Sequence, residues 1–346
     1  MRITAILCVK NEGAFVLDWL AHHRAAGITD FLVCSNDCSD GTDALLDRLA
    51  ARGLVHHMRN PGPFDHRGVQ FTALNRAAAE PVVQRADWLL PLDIDEFVAV
   101  RLPGHDLPAL LAALPGATAI SLTWRLFGND GVLRYSDRPV TEQFTRAAPR
   151  VIYWPWRGAM FKTLYRNDGT YRVPGVHRPR RPDPARLDDA RWYDGSGRPL
   201  PARFHRGRLF SDYGRDNHAL VQLNHYPLGA MDSFLLKVDR GRAVHSGQAM
   251  GMDYWVERNF CAEEDDTIAP LAAPAAAIRA GLAADPETGR LHDAAVAWRH
   301  ERVQKLLKHE PYRALLGRLM MTPPSRPLPP EMARVVLDHA HRAVAR

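Results

Sequence analysis

Short apolar runs alternate with longer segments of helical spacing over the first hundred residues. Ile3–Val9 is a compact apolar run that predicts a buried strand. Ala14–Ala26 follows with Phe15, Leu17, Trp19 and Leu20 at helical spacing, and Gly27 stops it. Ile28–Cys34 predicts a second strand. Ser39-Asp40-Gly41-Thr42 predicts a turn into a helix over Asp43–Ala51, ended by Gly53. Leu54–Met58 predicts a third strand. The two prolines and the glycine in Asn60–Phe64 mark a loop, and Gln70–Ala79 is helical again. Trp88–Leu92 predicts a fourth strand that runs directly into Asp93-Ile94-Asp95-Glu96.

Strands and helices alternating at this spacing imply an α/β fold with a parallel sheet covered on both faces. Ligands of such sheets bind beyond the carboxyl ends of the strands. Lys10-Asn11-Glu12, Asn36–Asp40 and Asp93–Glu96 follow directly on strands one, two and four. The topology therefore gathers these polar clusters on one edge. From Ala117 the pattern changes. Ala119–Trp124, Val151–Trp154 and Met160–Tyr165 predict strands separated by Gly, Pro and Arg. Arg178–Arg186, with four Arg and three Pro, predicts a loop, and Arg191–Arg208 is loop-rich. Ser233–Arg242 predicts a helix. After about residue 265 the chain is rich in Ala, Leu and Arg, and His292–Lys308 and Pro330–Ala345 predict a helical extension. The expected division is a domain over 1–265 and an extension over 266–346.

Composition narrows the class. In 346 residues, 46% hydrophobic and 24% charged are ordinary globular values, which exclude global disorder and fibrous classes. The 45 Lys and Arg exceed the 39 Asp and Glu, for a net charge of +6. That excess is mild for a nucleic-acid protein, and its Arg-rich character suits phosphate or carboxylate. Four cysteines do not make a disulfide framework in a chain this long. Cys8 and Cys34 are expected as buried thiols, and a reducing, cytoplasmic location follows. The apolar run before Lys10 is too short for a signal-peptide core, and no stretch of about 18 apolar residues predicts a membrane span.

Asp93-Ile94-Asp95 is the sharpest chemical feature. On extended backbone, residues i and i+2 point the same way, so two carboxylates can hold a hard divalent cation against a diphosphate. The alternative is a solvated strand end. Asn36–Thr42 places short polar side chains and free backbone N–H groups at a helix N-terminus, where Asn36 could meet a base edge. For Ser39, Gly41 and Thr42 a plain capping turn is preferred.

The ordered set of motifs resembles GT-A glycosyltransferases, specifically the bacterial branch of glycosyltransferase family 2 close to family 92. It comprises Val9-Lys10-Asn11-Glu12, Trp19-Leu20-Ala21-His22-His23, Ser35–Thr42, Gln70 with Asn75, and Trp88–Phe97. Trp124–Gly128, Phe161–Arg166, Val176–Pro179, Asn224-His225-Tyr226 and Ser233–Gly241 continue it. It spans roughly residues 1–260 and leaves the helical tail outside. It implies a nucleotide-sugar donor, with a UDP-hexose favoured, and a glycan or glycoconjugate acceptor. Lys10, Asn11, Glu12 and Asn36 would line the nucleoside, although Asn36 stands where related enzymes often carry Asp. Asp93 and Asp95 would hold Mn2+ or Mg2+, with Asp93 also on the donor. His225 would complete the metal site, an imidazole suiting manganese better than magnesium. Lys237 and Arg240, three apart on one helix face, would grip the diphosphate. His177 is a weaker acceptor or phosphate contact, with a hydrogen-bonded structural His as its alternative.

An inverting transfer needs a carboxylate base, and Asp130, in a Gly-flanked loop after a strand, is the candidate ahead of Glu142. Trp124, Trp154 and Trp156 could stack on sugars or pack in the core. His22-His23 and His56-His57 are expected to be structural. A haloacid-dehalogenase-like phosphatase, a nucleotidyltransferase and a non-catalytic carbohydrate-binding scaffold remain as alternatives. The Asp-x-Asp on the fourth strand and the fragmentary Lys10–Gly13 loop disfavour the first two. Oligomeric state and a peripheral contact with the inner membrane stay open, while nucleic acid is not an expected partner.

Overall fold

The computed structural model describes residues 1–64, 68–241 and 250–344. The first four predicted strands form: β1 (Ile3–Val9), β2 (Asp30–Ser35), β3 (His56–Arg59) and β4 (Trp88–Leu92). They lie parallel in the order β3-β2-β1-β4. Cα partners Val9–Ser35 and Leu7–Leu92 bring β1, β2 and β4 to a level finish. All three polar clusters therefore leave the sheet at one edge.

The strand pattern decides which helix covers which face. Ala5, Leu7 and Val9 point toward α1 (Gly13–Ala25) and α2 (Thr42–Ala51). Ile6, Leu32 and Leu89 point the other way, toward α3 (Val69–Ala77) and α4 (Pro81–Gln84). This is the two-residue period of a sheet buried on both faces. Val16, Leu17, Trp19 and Leu20 of α1 are almost completely buried, each contributing about 1.5–3 kcal/mol.

Beyond β4 the sheet becomes mixed. The strand Phe161–Arg166 runs antiparallel between β4 and β6 (Ala119–Leu126). Val221–His225 lies parallel to β6 and antiparallel to β5 (Glu96–Val100), which closes that side. The fold class is the expected one: α/β, a Rossmann-like parallel half continued by a mixed half, with a helical C-terminal extension.

Three details differ from expectation. β5 begins at Glu96, so the acidic cluster is a turn between two strands rather than a loose strand end. Val151–Trp154 forms no strand: it pairs with no strand of the described residues, and Ile152 packs against Leu126 and Phe260 without joining a sheet. Within the predicted loops, Arg180–Pro182 pairs with Tyr171–Val173, and Trp192–Asp194 adds to the edge of β6.

The tail folds as four helices, Ala272–Ala283, Pro286–Leu306, Glu310–Met321 and Pro330–Val344. They do not stand apart. The Ala-rich first helix lies along α1, and the second crosses α1, α2 and the helix Met231–Arg240. Asp285 caps that second helix through the Thr288 N–H and takes a two-pronged ion pair from Arg48 of α2 at 2.9 and 2.5 Å. Sandwiched between sheet and tail, α1 buries residues all round. His22 and His23 are structural, bonded to the Val98 and Trp19 carbonyls at 2.8 and 2.9 Å. His57 likewise bonds Ser35 and Asp47 at 2.8 and 2.7 Å. The four cysteines are free thiols, with Cys8 and Cys34 paired in register on β1 and β2. Among the described residues, no helix is long and apolar enough to cross a membrane.

Two predictions follow from how the tail and its neighbours seat on α1. A side chain at Gly13 would place Cβ 2.9 Å from Ala295 Cβ. Gly13→Val should therefore cost about 1–3 kcal/mol through overpacking, read as a lower urea midpoint. Asp18 of α1 is buried with its carboxylate accepting the Val140 N–H at 3.2 Å, and burial pushes its pKa from 3.8 up to about 6. The folded chain keeps this proton where the unfolded chain has lost it, so stability falls as pH rises from about 4 to 6. The whole effect is about 3 kcal/mol. Asp18→Asn should flatten the Tm profile across that window relative to the parent chain.

Candidate functional site

The turn Asp93–Asp95 is fixed from three sides. The Asp93 N–H donates to Glu96 Oε2 at 2.8 Å, and the Tyr226 N–H donates to the Asp95 carbonyl at 2.8 Å. Trp19 of α1 donates its indole N–H to the Asp93 and Glu96 carbonyls, each at 3.1 Å. The pairing of Val221–His225 with β5 sets His225 opposite Glu96, while its pairing with β6 sets Leu223 opposite Trp124. Trp124 then donates to Glu96 Oε1 at 2.7 Å and packs its ring 4.2 Å from His225 and 5.5 Å from His177.

Three carboxylates so close together need cations, and two lysines from distant segments supply them. Lys162, on the strand inserted between β4 and β6, donates to Asp93 Oδ2 at 2.7 Å and lies 3.3 Å from Glu96 Oε2. Its side chain is 1% exposed. Burial alone would lower its pKa, but Asp93 and Glu96 outweigh that and raise it. Glu96 is pushed up to about 8 by burial, with Asp93 and Asp95 adding to the effect. Lys237, on the helix Met231–Arg240, donates to Asp95 Oδ2 at 2.8 Å and to the Pro227 carbonyl at 2.7 Å. Burial would raise the Asp95 pKa, but Lys237 and His225 hold it well below the ordinary carboxylate range.

The remaining predicted residues fall into two groups. Glu12 and Arg240 form an ion pair, and Arg240 also donates to the Lys10 carbonyl at 2.9 Å. Lys10 thus enters the site through its backbone. Asn11, at φ 54°, accepts the Ser39 N–H at 2.7 Å and ties the β1 loop to the β2 loop. Asn36 is buried at the end of β2, its N–H on the Val9 carbonyl at 3.2 Å. Asn11, Glu12, Asp95, Lys237 and Arg240 converge on one open cavity. His177 does not line it. This ring sits behind Trp124, bonded to the Phe161 carbonyl at 3.1 Å, and burial lowers its pKa to about 4. Asp130 does not line it either. It is 44% exposed beside Arg146, because Gly128 anchors its loop against Phe260 and Cys261.

The Asp93, Asp95 and His225 metal cage does not assemble. Asp93 Oδ1 accepts from Gln70 at 2.9 Å and Oδ2 from Lys162, while Asp95 Oδ2 is on Lys237. Asp95 Oδ1 and His225 Nε2 face each other 3.8 Å apart, and His225 Nδ1 is buried without a hydrogen-bond partner among the described residues. Among the described residues, no group of three or more His, Cys, Asp or Glu is placed to hold an ion. The donor set present therefore does not fit a resident divalent cation.

Several site residues escaped the sequence reading. Gln70 and Lys162 lay inside recognised motifs but carried no signal of their partners. Trp298 and Arg299 line the cavity from the tail helix Pro286–Leu306, outside every motif. Asn11, Asp239 and Trp298 also line an adjoining cavity with Ser39, Arg302 and Lys305. Asp239 is held there by Arg302 at 2.7 Å and by Tyr312 at 3.1 Å.

No protein-family model and no curated protein matches the chain. Among solved structures, S. aureus TarS 1–349 in complex with UDP matches at 14% identity and TM-score 0.30, over 48% of this chain and 47% of that one. M. tuberculosis glucosyl-3-phosphoglycerate synthase in complex with Mn2+, UDP and phosphoglyceric acid matches at 16% identity and TM-score 0.25, over 36% and 43%. The chain spans less than half the length of each. Likeness at these TM-scores carries no functional argument.

The buried ammonium gives a direct test of the site's charge balance. Lys162→Met leaves Asp93 and Glu96 without their cation and should destabilise the chain by about 3–5 kcal/mol. Adding Glu96→Gln should recover a measurable part of that loss in urea unfolding.

Proposed function

We propose that the chain is a glycosyltransferase that moves a hexose from a nucleotide sugar, with a UDP-sugar favoured, to a glycan or glycoconjugate acceptor. The observation that carries this reading is the cavity at the carboxyl ends of β1 and β4, where Lys237, Arg240 and Arg299 meet an apolar and aromatic wall. Cationic side chains suit a diphosphate, and Phe15 and Trp298 suit a sugar or base face. The position is where open α/β sheets bind their ligands.

In this reading the nucleoside lies along Asn11 and Ser39, since Asn36 is buried and lines neither cavity, and the diphosphate faces Lys237 and Arg240. An acceptor hydroxyl attacks the anomeric carbon opposite the departing nucleoside diphosphate, with inversion. The carbon–oxygen bond to the phosphate breaks, and charge grows on the leaving oxygen. Fixed cations in a partly desolvated cavity stabilise that charge without reorganising. The hydroxyl proton needs a carboxylate within hydrogen-bond reach. Glu12, Asp95 and Asp239 line the cavity, and Asp130 does not. The phosphatase alternative loses support, because both oxygens of Asp93 are engaged by Gln70 and Lys162 and none is a free nucleophile.

A panel of nucleotide sugars, assayed for nucleoside diphosphate release with and without glycan acceptors, tests the reading. At least one donor should turn over, and Asp95→Asn should lower that rate by about 100-fold or more, since Asp95 positions Lys237 at the leaving group. Glycan binding without turnover of any donor would favour the scaffold instead.

A further inference from the structure

The misfit of a divalent ion and the charge of the tail point to the same conclusion. Each carboxylate near the cavity already has a fixed partner: Lys162 for Asp93 and Glu96, Lys237 for Asp95, Arg240 for Glu12, and Arg302 for Asp239. An incoming divalent ion would have to displace Lys237 from Asp95, although Lys237 is also anchored on the Pro227 carbonyl.

Arg299 is different. It lines the same cavity, is 5% exposed, and makes no ion pair among the described residues. Its Nη2 donates to Ser233 Oγ at 3.0 Å, and its guanidinium lies 4.4 Å from the Phe15 ring and 4.8 Å from the Tyr135 ring. Its Nε is buried with no hydrogen-bond partner. Rings contribute to holding a cation, but they do not replace the hydration that burial removes. Six other arginines among the described residues also have a buried Nε without a partner, so what sets Arg299 apart is that it stands in the cavity wall with no ion pair, where an anion could reach it.

We propose that this protein binds its donor without a divalent ion, the counter-charge for the diphosphate being built into the chain as Arg299 of the tail helix together with Lys237. This rests on the donor reading above and adds to it the source of the charge. It also gives the tail a role at the site: the helix Pro286–Leu306 delivers the one cavity cation that forms no ion pair among the described residues, with Asp232 and Asp40 acting on it only from beyond contact. A guanidinium suits the task because it is always charged and presents its donors in a fixed plane.

Isothermal titration of the full chain with UDP, in EDTA and again in MnCl2, tests this. Affinity should agree within about threefold between the two conditions, a difference of roughly 0.7 kcal/mol. In EDTA, Arg299→Met, which keeps the contact with Phe15, should weaken UDP at least tenfold, and Arg299→Lys should regain part of the loss. UDP binding at least tenfold tighter with manganese would overturn the proposal and leave the glycosyltransferase reading standing. Unchanged affinity in Arg299→Met would remove Arg299 from the site. If UDP binds in neither condition, the donor reading fails and takes this inference with it. The comparison of EDTA with manganese uses the unaltered chain, so it decides the matter even where a variant does not fold.

Discussion

Three carboxylates stand within four consecutive residues at the end of β4, and two of the sheet's central strands meet there. Asp93, Asp95 and Glu96 would repel one another at this depth, and much of the later chain is arranged to prevent it. The antiparallel strand Phe161–Arg166 brings Lys162 under Asp93 and Glu96. The helix Met231–Arg240 brings Lys237 over Asp95 and Arg240 over Glu12. Trp124 of β6 adds a neutral donor to Glu96. Buried charges are tolerated only when paired and hydrogen-bonded. The mixed half of the sheet therefore does more than extend the core, since it carries the cations that let the parallel half end in acid.

The same electrostatic requirement explains why the candidate site is asymmetric. One wall is saturated: every carboxylate has its lysine, arginine or amide. The tail helix adds Arg299, held beside two aromatic rings and in no ion pair among the described residues. An arriving anion meets its strongest unmet attraction there, while the saturated wall holds the geometry. The tail helices are consequently part of the site as well as part of the core, and α1, enclosed between sheet and tail, transmits the position of each to the other.

Much of the parallel half was legible in the residues alone. Compact apolar runs such as Ile3–Val9 and Trp88–Leu92, spaced by helices, imply a parallel sheet covered on both faces. The level ends of β1, β2 and β4 then bring Asn11, Asn36 and Asp95 to one edge, as the pattern implied. β5 was missed because only the short turn Asp93–Asp95 separates it from β4, so the acidic cluster hid the start of a second strand. Val151–Trp154 was over-read because its apolar and aromatic residues suit a strand, while no strand of the described residues pairs with it.

The chemistry was legible by residue type but not by partner. Local pattern determined that an acidic turn would follow a buried strand beside an Asn and Glu loop, because both lie within a few residues of a strand end. Only the tertiary structure decided that lysines 69 and 142 residues away would close on those acids. It also withdrew Asp130 and His177 from the cavity and brought Arg299 to it from the far end of the chain. The physical reason is range. Hydrophobic periodicity is set by covalent neighbours and can be read along the chain. The charge balance of a buried site is a sum over groups that only the completed packing brings within a few ångströms.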